Sequence, residues 1–281
     1  MLKRRGVDTS TISIMFGDGT FKVTPPQFKQ VWVVCVRIGN SHIPIVYALL
    51  EDKKKESYIE VLRFLRVRCP LLDPTTIIMD FEIDEHKVVR TTFPSIRIQV
   101  CNFHFNQCNL KKFRKNTENH TDEVLRILLR CVYGLPFLPL SDVAAGWTDL
   151  KCAIWARSPS PAMSAYIKYF EDTWLFSSCY PPSLWNVTLA MHNGEPRTNN
   201  ASEGGNNAIN TAASTDHPSI WAFIPILRTC NAEMEQKLLL LQSGLNPDRK
   251  QREEAIQRLV RSYKADAKLG MMRCLGYRFS A

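Results

Sequence analysis

Three carboxylates stand out by their settings. Asp18 lies in IMFGDGTFKV (14–23), Asp80 closes the apolar run TTIIMD (75–80), and Glu203 lies in RTNNASEGGNNAIN (197–210). Two divalent cations about 4 Å apart need several carboxylates to hold them and offset their charge. Such a pair drives in-line attack on a phosphodiester, one metal activating the attacking water or hydroxyl and the other stabilising the leaving oxygen. Each acid also has a plainer reading. Asp-Gly between apolar runs is the strongest short-range hairpin signal, so Asp18 reads locally as a turn residue. Asp80 reads equally as a strand-end cap for the next helix, and Glu203 as a first-turn acid. Glu82 and Asp84 read as a solvated first helical turn rather than as ligands.

A second set of residues suggests metal or phosphate. Cys101 and His104 form a Cys-x-x-His pair, but structural zinc wants four ligands, and Cys108, His120 and His86 stand at no familiar spacing from them. A structural or substrate-positioning role suits the pair better. Lys111, Lys112, Arg114 and Lys115 follow at once; the run reads as a phosphate-contacting patch or as a solvated helix face.

The elements that must position these residues can be read from the patterning. Residues 11–17, 30–38 and 43–50 are β-branched and apolar and predict three strands joined by short connections, an antiparallel meander. An amphipathic helix is expected over 53–69, ended by Pro70 and Pro74, then a strand over 75–80, a helix over 83–93 and a fifth strand over 96–101. A strand that follows a crossover helix runs parallel to its partner. The result is a mixed five-stranded sheet with flanking helices, the layout of an RNase H-like fold, in which the first and fourth strands are neighbours and their ends present Asp18 and Asp80 on one edge. From about residue 106 the strands stop. Helices are expected over 122–135, 141–156 with Ser141 as N-cap, and 161–175; residues 176–200 read as loop. Residues 217–242 predict a helix with Pro218 in its first turn and a kink or break at Pro225. Residues 246–269 predict a final helix capped by Asn246, with Pro247 in its first turn. The domain reading is a remnant at 1–10, the sheet part of the core at 11–105, an all-helical insertion at 106–196, returning core helices carrying the third acid at 197–245, and a basic C-terminal helix at 246–281.

On these motifs the chain resembles the transposase domain of Mutator-like elements, the MULE family. The stretches that carry the resemblance are DGTFKVTPPQF (18–28), IPIVYALLEDKKKESYIEVL (43–62), DFE (80–82), FP (93–94), CNFHF (101–105), GLPFLPLSDV (134–143) and RTNNASEGGNN (197–207). They occur in order over roughly residues 12–210. The resemblance implies an RNase H-like core, a DDE triad at Asp18, Asp80 and Glu203, a helical insertion before the Glu, and the Cys101–His104 pair. It further implies Mg²⁺ or Mn²⁺ as cofactor, transposon-end and target DNA as partner, a homo-oligomer when ends are synapsed, and a nuclear location. Trp174 and Trp185 match aromatic positions of the insertion; they read as core residues or as platforms for an unpaired base. Two departures from the family pattern matter. Gly204–Gly205 replaces Gly followed by a bulky aromatic, and two glycines inside a helix cost about 2 kcal/mol relative to alanine. Ile83 replaces the usual small residue after DFE.

The composition agrees with a nucleic-acid partner. The 281 residues carry a net charge of +9, with 45% hydrophobic and 22% charged residues, which fits a globular protein that meets a polyanion. Nine cysteines without a CxxC pair, and no apolar leader, predict a reduced intracellular protein rather than a disulfide framework. No apolar run approaches the ~20 residues of a membrane helix. The short lead-in to the first strand predicts a further N-terminal module, such as the zinc-finger DNA-binding module often found in the family. Three functions stand in order: a DDE-type transposase acting by metal-dependent strand cleavage and transfer; a domesticated or decayed transposase that binds DNA or partners without turnover; and a nuclease for RNA–DNA hybrids, for which nothing here reads the 2′-hydroxyl.

Overall fold

The computed structural model describes the backbone at residues 6–116, 123–157, 159–213, 215–243 and 251–278; the side chains of 115–116, 201–204, 251–253 and 276–278 lie outside that description. The chain divides into two compact units, Met1–Ile98 with Asn199–Arg249, and Gln99–Thr198 with Lys250–Ala281.

The first unit is built on the sheet. Strands β1 (Ile14–Thr20), β2 (Gln30–Ile38) and β3 (Ser41–Leu50) form the antiparallel meander. Helix α1 (Lys55–Arg68) crosses to β4 (Thr76–Met79), which pairs parallel with β1, and α2 (Ile83–Thr92) leads to β5 (Arg97–Val100). The strand order is β3-β2-β1-β4-β5. β1, β2 and β4 are buried almost throughout because helices cover both faces, which is why they read as continuous apolar runs rather than as alternation. β3 is the edge and carries Pro44, whose missing N–H is tolerated there, beside a register shift at Val34/Cys35.

Asp18 is not in a turn. β1 continues through it to Thr20, and Asp18 opposes Val33 on β2. The glycines on either side serve packing. A Cβ on Gly17 would come within 3.3 Å of the Trp32 ring, and one on Gly19 within 2.8 Å of Gln30 Oε1. The local hairpin signal therefore marks a close approach of side chains to the strand, and the chain reverses further on, over residues 21–29.

Helices α9 (Asn200–Ala213) and α10 (Ile220–Gln242) complete this unit. Pro225 does not break α10. The carbonyl it leaves without an N–H is that of Trp221, in a first turn exposed enough for water to take its place. Ser219, not Pro218, starts the helix, its hydroxyl accepting from the N–H of Ala222.

The second unit is helical: α3 (Asn102–Asn116), α4 (Glu123–Arg130), α5 (Val143–Arg157), α6 (Pro161–Phe170), α7 (Pro182–Trp185), α8 (Thr188–Asn193), α11 (Gln251–Arg261) and α12 (Lys268–Arg278). The expected helix at 122–135 changes to a 3₁₀ stretch at Cys131–Phe137, where Pro136 disallows an α-helical interior. The one at 161–175 ends in a π-turn at Glu171–Leu175. Ser141 is not an N-cap; it lies in a 3₁₀ turn and its hydroxyl donates to Asp142 Oδ1. The segment read as loop holds α7 and α8. Asn246 and Pro247 lie outside the described residues. A Cβ on Gly134 would stand 2.6 Å from the Met272 backbone, so α12 packs directly on the Cys131–Phe137 turn; Tyr263 donates to Asp142, and Arg261 at the end of α11 donates to the His192 carbonyl of α8. No helix among the described residues is long and apolar enough to cross a membrane.

Candidate active site at the carboxyl edge of the sheet

The site begins with strand register. In the parallel pair, Phe16 of β1 stands opposite Ile78 of β4. Two residues further along are Asp18, still within β1, and Asp80, the first residue after β4, so the register brings the two acids to the same level of neighbouring strands, whose backbones run ~4.8 Å apart. Both follow apolar strand residues that cannot leave the core: Phe16, Ile77, Ile78 and Met79 are fully buried. The N-cap of α2 is Glu82, so Asp80 does not serve as the cap of that helix.

His86 fixes the turn that carries Asp80. It is buried, and its Nε2 lies 2.6 Å from the Asp80 carbonyl oxygen. A ring nitrogen facing a carbonyl must carry the proton. Burial holds the imidazole below its ordinary pKa, so it is neutral and serves as a hydrogen-bonding strut. Next to it, burial pushes the carboxyl of Glu85 up to about 8, despite a hydrogen bond from Tyr58; Glu82 and Asp80 push in the same direction.

Asp18 is 7% exposed, and a buried carboxylate needs donors. One comes from helix α9: Asn206 Nδ2 donates to Asp18 Oδ2 at 2.6 Å. The residue just before α9 and the helix itself each reach β1 once more. Asn199 Nδ2 donates to the Gly17 carbonyl at 3.4 Å, and the Thr20 hydroxyl donates to Asn210 Oδ1 at 3.4 Å. Positions 199, 206 and 210 follow helical spacing, and position 203 falls on the same stripe, one turn before Asn206. The Glu203 side chain is outside the described residues; its backbone is helical.

This ladder of asparagines was missed in the sequence. NASEGGNNAINTAA is poor in strong helix formers, and α9 faces the sheet with amides as well as with Ile209 and Ala213. The usable signal was the repetition of Asn at helical spacing around the Glu. α3 was missed for a related reason: its buried positions include Asn102 and Asn109 beside Phe105, so no apolar period shows.

Oxygen donors dominate the edge, which suits Mg²⁺ or Mn²⁺. Asn206 supplies a direct test of fit. Its Oδ1 is buried without a hydrogen-bond partner among the described residues, on the same amide as the nitrogen that grips Asp18. An orphaned amide oxygen beside a carboxylate is an unmet acceptor of the kind a hard cation satisfies. Among the described residues no three His, Cys, Asp or Glu side chains form a metal-holding group, and Glu203 is not among those side chains.

The other expected residues lie in the helical unit. Cys101 is buried and His104 half-buried, in and just before the first turn of α3; His120 is outside the described residues. Lys111 and Arg114 are exposed. Lys112 is half-buried with its ammonium 4.7 Å from the centre of the Tyr169 ring, and the Lys115 side chain is not described. Trp174 and Trp185 are core residues: Trp185 is fully buried, stacks on Phe105 at 4.8 Å, and donates its N–H to the carbonyls of Trp174 and Tyr180. Neither ring is open to a base. Exposed aromatics stand elsewhere, among them Phe21 and Trp221 in the first unit.

Fold and site together define an RNase H-like α/β domain with two carboxylates level on adjacent parallel strands. Residues 14–108 match the MULE transposase domain. That span runs from β1 into α3, takes in Asp18, Asp80, Cys101 and His104, ends before Glu203, and supports a transposase-related function. No curated protein matches the chain.

Proposed function

We propose that this chain is the catalytic domain of a DDE-type transposase, cleaving and transferring DNA strands at transposon ends. Asp18, Asp80 and Glu203 would hold Mg²⁺ or Mn²⁺, with the Asn206 amide oxygen beside them. Bound metal supplies activation of the attacking oxygen and stabilisation of the leaving one. The chain's own part is geometric. β1 and β4 hold two carboxylates level, His86 keeps the Asp80 turn in place, and Asn206 pins α9, and with it position 203, against Asp18. The observation that carries the reading is this docking of the α9 face onto β1 at Asp18. DNA as partner follows from the family match and the charge of +9; a nuclear location and assembly on paired ends belong to the same proposal.

The test is Mn²⁺-dependent nicking of supercoiled plasmid by the parent and by Asp18→Asn, Asp80→Asn and Glu203→Gln. The reading expects activity in the parent and a loss of at least about a thousandfold in each variant. Equal cleavage by all four refutes it.

One observation favours a second reading, a domesticated transposase that binds without turnover. Gly205 stands inside α9 with open space where a Cβ would be, so packing does not require glycine there. The helix that must aim Glu203 is thereby softened by about 1 kcal/mol. On that reading the parent binds DNA, does not nick it, and Asp80→Asn binds as well as the parent.

A further inference from the structure

β1, β3 and β4 point the same way, since β2 is antiparallel to both of its neighbours and β4 is parallel to β1. Their carboxyl ends share one edge, the edge at which open α/β sheets bind ligands. Lys53 follows β3 there. Its ammonium lies 2.6 Å from Glu82 Oε1, two residues after Asp80, and 4.5 Å from the centre of the Phe21 ring, three residues after Asp18. One cation thus bridges the segments that follow the two acids. The Phe21 ring is 48% exposed, a large aromatic held at the rim rather than in the core. The ring lies back along the strand, its tip 3.6 Å from where a Cβ on Gly19 would stand, which is ordinary contact distance.

We propose that Phe21 and Lys53 form a platform for one unpaired nucleotide of the DNA strand, beside the phosphodiester held at Asp18 and Asp80. Lys53 takes the phosphate and Phe21 stacks the base. This rests on the DNA-handling part of the function proposed above. The chemistry of each partner fits. Every base has a π-face, so an exposed phenylalanine holds a nucleotide without reading its sequence. Lys53 and Glu82 are both about two-fifths exposed, and an ion pair in that setting is weak enough to be exchanged for a phosphate. Lys54 and Lys55 follow Lys53, but Glu51, Asp52 and Glu56 flank the run and Lys54 Nζ lies 3.4 Å from Asp52 Oδ2, so the phosphate contact rests on Lys53 itself. A fully paired duplex hides its base faces, so the platform discriminates frayed or overhanging ends from blunt ones.

The experiment is fluorescence anisotropy in EDTA with the full chain, using a labelled blunt duplex and the same duplex with a three-nucleotide overhang. The parent should bind the overhang more tightly. Phe21→Ala should weaken overhang binding by about tenfold and leave the blunt duplex unchanged, and Phe21→Trp should retain the preference. Lys53→Ala should weaken both and lower the slope of log K against log salt by about 0.7–0.9. Parental binding by Phe21→Ala and Lys53→Ala, or a parent with no preference for the overhang, overturns the proposal. Because no metal is present, the result is independent of nicking. A Phe21-dependent preference in a chain that never nicks supports the platform and sinks only the catalytic reading; triad-dependent nicking with unaltered Phe21→Ala binding does the reverse.

Discussion

At the scale of single residues, the site is held by amides and a neutral imidazole as much as by its acids. Asn206→Ala removes the donor to a buried carboxylate. The expected cost is about 1–3 kcal/mol of unfolding free energy in urea titrations. Asn206→Asp sets a second acid against Asp18. It should lower the melting temperature without metal, and millimolar Mn²⁺ should restore more of it than it adds to the parent; a metal response no larger than the parent's argues against a cation at this edge. Glu85 gives a pH signature. Its folded pKa is raised to about 8 from an ordinary 4.5, so between those values the folded chain keeps a proton that the unfolded chain has lost. Stability from this group is therefore full below about pH 4.5 and falls as pH rises toward 8, by up to about 1.4 kcal/mol per unit. Glu85→Gln keeps the hydrogen-bonding shape without the proton. Denaturant titrations at pH 6 and pH 8 should show the variant losing less stability than the parent over that interval.

At the scale of elements, α9 is both the helix on which Glu203 lies and a weak helix. Gly205 faces open space and its φ is not in the left-handed region. Gly205→Ala should raise stability by about 0.5–1 kcal/mol, measured by chemical denaturation, and should raise nicking if a loosely aimed Glu203 limits the parent. β1 shows the converse. Gly19→Ala forces a methyl to 2.8 Å from Gln30 Oε1, an atom of a buried side chain whose amide donates to the Tyr58 hydroxyl, and the variant should melt lower than the parent. Both glycines are matters of space, and their opposite outcomes follow from what surrounds each one.

At the scale of the whole molecule, the charge of +9 predicts DNA binding that weakens steeply with salt, with a linear fall of log K against log salt in EDTA. Asp18→Asn and Asp80→Asn each remove a negative charge from the edge. Without metal they should bind at least as tightly as the parent in the same titration; weaker binding by either would mean that the fold, rather than the chemistry, had been damaged.

Much of this was legible without coordinates. The apolar runs of β1, β2 and β4 are buried on both faces and must read as strands; the Pro-terminated amphipathic stretch before β4 must read as a crossover helix; and a crossover makes β4 parallel. From these the pairing of Asp18 with Asp80 follows. What the sequence could not decide is how space is shared. Asp18–Gly19 looks the same whether the glycine turns the chain or clears room for Gln30, and only the packing of β2 separates the two. Trp174 and Trp185 read as core residues or as base platforms from the sequence, and only the packing around them, with Phe105 stacked on Trp185 and the carbonyls of Trp174 and Tyr180 taking its N–H, assigns them to the core. The face of α9 carries asparagines where a hydrophobic stripe would have announced it, because the partner it must meet is a buried carboxylate. Local propensity and periodicity report what a segment can bury, whereas the identity of its partner exists only once strands far apart in the chain are laid side by side.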